Sequence, residues 1–337
     1  MSRPSAGGRS PRPAGARASA REAGGADAAR AAGPARGTRR GAGHEAPAYD
    51  PATAAFLEEV YGACAAGPRL RRDPLALVVP FDDPRDREVA GLFASTLAFG
   101  SVDLILRAVR AALEPLGERP ASALAAMGES GLREAWGGFQ YRYCFPKDMI
   151  ALARGARRAL MEAGSLEDFF LRGDPGGGDV AAAAGSFAAR LKDLSAPGGG
   201  AGRAGAGGAL AGGAAAGARE GAGEGIRGNL LPEPAGGSAC KRLFLFLRWM
   251  ARRDAVDPGG WDRVDPARLI VPMDTHMARV CSDRLGFLPR PAADLKAALR
   301  VTEAFRLYAP EDPVRYDFAL TRPGIDPEPG DERFGCS

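Results

Sequence analysis

Lys241 and Asp274, 33 residues apart, have the chemistry of a covalent catalyst and its charge partner. Lys241 is one of four lysines in a chain that carries 41 arginines. A lysine amine can shed its proton and attack an aldehyde-like carbon such as C1′ of a sugar, forming a Schiff base; a guanidinium cannot. It sits at the predicted start of an apolar helix beside Arg242, surroundings that oppose a second positive charge. The apolar run Leu269-Ile270-Val271 and Pro272 deliver Asp274 to another helix start. Unpaired backbone N–H groups and the positive end of the helix dipole keep a carboxylate ionised there. Such a group can stabilise a sugar cation as a base departs, or orient an amine or water. Plainer roles exist for both: aspartate is a preferred N-cap, and a lysine on an amphipathic helix is often a surface residue.

Other side chains could hold a nucleic acid around this pair. His276 is one of two histidines, the other being His44, and could orient the site or contact phosphate. Packing or capping is the commoner role for such a histidine. Phe139, Tyr141, Tyr143 and Phe145 alternate around Arg142 and could stack on bases, although such alternation more often lies against a core. Phe99, at the tip of a Phe99-Gly100-Ser101 turn, could wedge into a base stack or simply pack. Gly236-Gly237 before a helix could present backbone N–H groups to phosphate. The five cysteines are scattered without a C-x-x-C pair, and no His, Cys or Asp set has metal-ligand spacing. No metal and no cofactor is expected.

The elements that must position these residues are helical. Phe56, Leu57, Val60 and Tyr61 mark a helix from Pro51 to Cys64. Asp83-Pro84 starts another, which ends at Gly100, and Ser101 caps the next, making an αα-hairpin over 84–116. Helical patterning recurs at Ala121–Met127, Ile150–Met161, Leu166–Leu171, from Ser238 through Trp249, from Asp274 to Gly286, at Asp294–Leu307 and from Asp312-Pro313 to Leu320. Leu75–Phe81 reads as a short strand or extended connector, and strand signals are otherwise scarce. The fold class is all-α. Residues 1–47 (Arg, Ala and Gly-rich) and 173–228 (Gly and Ala-rich) lack the apolar content to offset chain entropy and are read as disordered. One helical domain over 48–325, interrupted by 173–228, and a C-terminal tail at 326–337 remain.

The formal net charge is +4, but residues 1–47 contribute nine arginines against Glu22, Asp27 and Glu45. The folding part is therefore about −2, which excludes a uniformly basic nucleic-acid binder. The basic N-terminus has no apolar signal region, and Leu243–Met250 is too short to cross a bilayer, so a cytoplasmic protein without membrane contact is expected.

Ser238–Met250, Leu269–Val280 and Asp312–Leu320 together resemble an uncharacterised bacterial family of conserved hypothetical proteins, over about 51–172 and 229–325. More distantly, Pro272-Met273-Asp274-Thr275-His276 resembles the helix-start aspartate motif of the helix-hairpin-helix–GPD DNA glycosylases, and Lys241 matches the attacking lysine of their bifunctional members. That resemblance implies a two-lobed all-α fold, a damaged or duplex DNA partner, and extrusion of the target base before its glycosidic bond is cut. On it, Lys241 attacks C1′, Asp274 stabilises the cation, and His276, Arg279, Gly236, Gly237, Phe99 and Arg142 contact the nucleic acid. The glycine-rich hairpin of that superfamily has only a loose echo in Leu230–Gly237, and the stretch through Trp261 lengthens the spacing from Lys241 to Asp274. Two further possibilities are a non-catalytic helical module that binds nucleic acid or protein, with Lys241 on a phosphate, and a binder of small nucleosides.

Overall fold

The computed structural model describes residues 47–65, 67–199 and 225–335. Among them are twelve α-helices and no strand. Their buried side chains form one continuous core that draws on both halves of the chain. The expected tail over 1–47 lies outside the described residues, apart from Pro47.

The first helices start where their caps predict. α1 (Pro51–Cys64) is capped by Asp50, whose carboxylate accepts the Ala52 and Thr53 N–H groups. α2 (Pro84–Thr96) has Asp83 as its cap and proline at its first position. Gly100, at φ +107°, turns the chain into α3 (Val102–Leu113), with Ser101 at the N-cap. Residues 75–81 do not extend: Pro74–Leu77 forms a 3₁₀ turn capped by Asp73, which satisfies its backbone locally.

α2 also anchors two later helices by their N-termini. Its buried Asp86 accepts the Ala121 N–H at 2.8 Å and so caps α4 (Pro120–Ala126) from outside. Beyond α4 come α5 (Glu129–Trp136), which the periodicity did not reveal, and α6 (Pro146–Ala163), which starts four residues before its predicted boundary. Further along α2, Glu88 accepts the Leu166 and Glu167 N–H groups at the start of α7 (Leu166–Leu171), and also Trp261 Nε1. Burial pushes the Glu88 carboxyl up to about 7, against the pull of those three donors. Because the folded pKa lies above the ordinary 4.5, this group's contribution to stability is full below pH 4.5 and is lost as pH rises to about 7. Thermal unfolding of wild type against Glu88→Gln between pH 4 and 8 should show that decline flattened in the variant.

The reading of 173–228 as disordered is corrected for its first part. Residues 181–195 form α8 (Ala181–Ser195), in which Ala183, Ala184, Phe187, Ala188 and Leu191 are fully buried. Small residues make this possible, because α8 lies close against α6. A Cβ at Gly155 would stand 2.8 Å from the Leu191 carbonyl oxygen and 3.2 Å from Ser195 Cβ. Gly155→Ala should therefore push the two helices apart and destabilise the protein by about 1–3 kcal/mol in urea unfolding. Arg154 and Arg158 of α6 lock the α8 C-terminus: Arg154 donates to Ser195 O, and Arg158 Nη1 to the carbonyls of Leu194, Ala196 and Gly199. The chain returns at Ile226, whose N–H donates to Ser195 Oγ at 2.8 Å. Residues 200–224 lie outside the described residues.

The second half returns Asp274 to Lys241. α9 (Lys241–Ala251) runs inward, with Phe244, Phe246, Leu247 and Trp249 buried. The chain then doubles back, as the Gly259 and Trp261 N–H groups bond the Trp249 and Met250 carbonyls. Trp261 packs between Phe170 and Phe246, at 5.4 and 5.2 Å between ring centroids. The stretch that lengthens the spacing is therefore part of the core. From there the buried run Leu269–Val271 leads back to α10 (Thr275–Arg279), followed by a π-helical turn over Val280–Arg284. α11 (Leu295–Arg306) takes its cap from Asp294. α12 (Asp317–Ile325) begins five residues later than the Asp312-Pro313 signal, because Asp312 is drawn into ion pairs with Arg252. The C-terminal tail reading is also corrected: Asp331 is buried in a two-point contact with Arg69, and Phe334 joins the core.

Candidate active site

Three helix ends and two loops surround a cleft of about 390 Å³. Lys241, Leu245 and Arg248 recur on one face of α9 and all line it. α10 contributes Asp274 and His276, and α12 contributes Asp317, Thr321 and Arg322. The α2–α3 turn, with Phe99 and Gly100, and the Arg72-Asp73-Pro74 segment complete the wall.

α9 opens from an unusual residue. Cys240 has φ +46°, a left-handed conformation that L residues rarely adopt, and its carbonyl accepts the Leu243 and Phe244 N–H groups. It is buried, with Sγ 3.4 Å from Pro232 O. Ser238, expected as the cap, instead accepts the Cys240 N–H.

Asp274 divides its carboxylate between two tasks. Oδ1 accepts the Met277 N–H at 2.8 Å and caps α10. Oδ2 lies 2.8 Å from Lys241 Nζ. Burial opposes the charge, yet Lys241 and the Met277 N–H hold the Asp274 carboxyl below the usual range. Capping and pairing are thus combined in one side chain. The Lys241 side chain is 36% exposed and the Asp274 side chain 24%, so a molecule in the cleft can reach both. Burial, outweighing the pull of Asp274 and aided by Arg279, Arg322 and Lys241, lowers the His276 pKa and favours the neutral ring.

Beneath the pair lies a buried ionic network. Arg248 contacts Asp257 at 3.0 Å and also Asp317, while Arg252 joins Asp257, Asp254 and Asp312. Arg248 and Asp317 carry that network to the cleft surface.

The remaining expected contacts divide. Phe99 lines the cleft but is held between Tyr143, stacked at 4.4 Å and 13°, and the Arg242 guanidinium at 5.2 Å. It is a wall rather than a free wedge. Tyr143 and Phe145 are partly exposed, whereas Phe139 and Tyr141 are buried. Arg142 is exposed behind Gly100, and Arg279 is exposed; neither lines the cleft. Gly236 and Gly237 are corrected as phosphate donors. Their N–H groups are spent on Glu233 O and Pro234 O, and they lie away from the cleft. Arg72, Asp73, Arg248, Asp317 and Arg322 were not anticipated. For Arg248 a signal existed, since seven residues after Lys241 returns to the same helix face.

A family model described as "Protein of unknown function (DUF2400)" matches residues 73–326. The chain belongs to the DUF2400 family. The match covers every cleft-lining residue except Arg72, so the site lies within the family domain. No curated protein and no solved structure matches the chain, and the glycosylase resemblance stays with the residues that suggested it. Among the described residues of this DUF2400 chain, no group of three or more His, Cys, Asp or Glu side chains is placed to hold a metal. None of their helices is long and apolar enough to cross a membrane.

Proposed function

We propose that this cleft accepts a nucleotide displaced from DNA and cleaves its N-glycosidic bond with Schiff-base chemistry. The observation that supports it most is the 2.8 Å contact between the Lys241 amine and the Asp274 carboxylate inside a cleft. Its volume of about 390 Å³ falls within the range of roughly 300–1,000 Å³ common for small-molecule sites.

In this scheme Asp274 takes a proton from Nζ, freeing the lone pair. Nζ bonds to C1′ as the bond from C1′ to the base breaks, and the base leaves with the bonding electrons and takes the proton that Asp274 holds, which restores the carboxylate. The nitrogen, now a secondary ammonium, gives a second proton to the Asp274 carboxylate; its lone pair then expels O4′, which takes that proton, leaving an iminium between Lys241 and the opened sugar. As its proton passes to the departing base, the Asp274 carboxylate offsets positive charge at C1′. Phe99 and Leu245 supply apolar wall for the base.

The test is borohydride reduction of the full-length protein mixed with duplexes carrying abasic sites or a panel of damaged bases. A covalent adduct mapping to Lys241, accompanied by base release from at least one damaged duplex, is expected. Neither adduct nor release across the panel would sink the scheme.

A further inference from the structure

Arg322 is the outlier among the cleft cations. It is 4% exposed, yet its Nε and Nη1 have no hydrogen-bond partner. His276 Nε2, also buried, has none either. Both residues line the cleft that holds Lys241 and Asp274. An unpaired buried donor is costly, and more so on a charged group, so a ligand that meets these donors would recover the cost. Arg322 is also lightly tethered. Its Nη2 lies 3.3 Å from Asp73 Oδ2, longer than the roughly 2.7–2.9 Å of a charge-assisted hydrogen bond. Its guanidinium rests over the Phe318 ring at 4.4 Å, a cation–π contact that consumes no N–H group.

We infer that Arg322 and His276 form an anion subsite for a phosphate group, next to the sugar position addressed by Lys241. Resting over Phe318 and lining the cleft, the guanidinium can meet an anion that enters there, and His276 Nε2 donates from the neighbouring helix. Nη1 is unpaired and Nη2 holds only the long Asp73 contact, so the Nη1–Nη2 edge can donate to two phosphate oxygens, whereas the Lys241 ammonium is already committed to Asp274. Naming phosphate rests on the nucleotide reading above; the anion subsite itself does not require a glycosidic bond to break.

The probe is inorganic phosphate, followed through the His276 imidazole resonances by NMR. Deoxyribose 5-phosphate against deoxyribose separates the free ion from a sugar-borne phosphate. Phosphate should shift His276 in the wild type, and Arg322→Gln should weaken the midpoint by about tenfold or more. Asp73→Asn keeps a side-chain oxygen for the Leu75 N–H and releases Arg322, so it should tighten binding; this arm serves even if Arg322→Gln fails to fold. An unmoved His276, an unchanged midpoint in a folded Arg322→Gln, or weaker binding in Asp73→Asn would each overturn the subsite. Deoxyribose 5-phosphate binding no better than deoxyribose would refute the sugar-phosphate assignment. Because phosphate has no bond for Lys241 to cleave, this result is independent of the trapping experiment.

Discussion

Lys241→Arg is expected to abolish the borohydride-trapped adduct completely while keeping the charge that faces Asp274. The guanidinium restores an ion pair with Oδ2 but cannot lose a proton to become a nucleophile. A purely phosphate-binding role for Lys241 would leave this variant active in binding and unable to show any lost chemistry. Asp274→Asn should lower base release by about 10²–10⁴-fold, the usual size of a lost general-base contribution. An asparagine oxygen still caps the Met277 N–H, so α10 should remain folded and the loss should appear in rate rather than in stability. Single-turnover kinetics with a circular dichroism control on each variant would check both outcomes. Retention of the adduct in Lys241→Arg would place the nucleophile elsewhere.

The second large effect concerns folding. Asp257→Ala should cost about 3–5 kcal/mol in urea unfolding. Asp257 is fully buried and touches both Arg248 and Arg252, so its removal leaves two buried guanidinia short of a counter-charge. Burial pushes the Asp257 carboxyl up, while the two arginines pull it down. Trimming the exposed Arg253–Asp262 contact, at 3.6 Å, should leave the unfolding midpoint unchanged. A loss of similar size from both variants would show that burial does not set the strength of these pairs.

Much of the candidate site was legible because it is built from local signals. Asp83-Pro84 and Asp274 both announce helix starts through the residues that satisfy orphan N–H groups, and both are N-caps. The order of Lys241 and Asp274 suggested convergence, and the turn back through Trp261 provides it. What escaped notice depends on partners distant in sequence. The period of Phe187 and Leu191 was obscured by glycine and alanine, although those small residues are what let α8 approach α6. Asp312-Pro313 resembles the Asp83-Pro84 signal, but its carboxylate serves Arg252 and the helix begins later. The Gly236-Gly237 expectation failed because a glycine pair before a helix does not reveal that the turn consumes its own N–H groups. Arg322 could not be singled out among 41 arginines until its surroundings were known.

The meeting of Ser195 with Ile226 has a practical and evolutionary corollary. Since one hydrogen bond joins Ser195 to Ile226, whatever is spliced between those anchor points begins and finishes at nearly one spot. Entropy penalises extra length there only logarithmically. The position is thus a natural port for grafting a reporter or trimming the chain, with none of the cleft-lining residues at the junction.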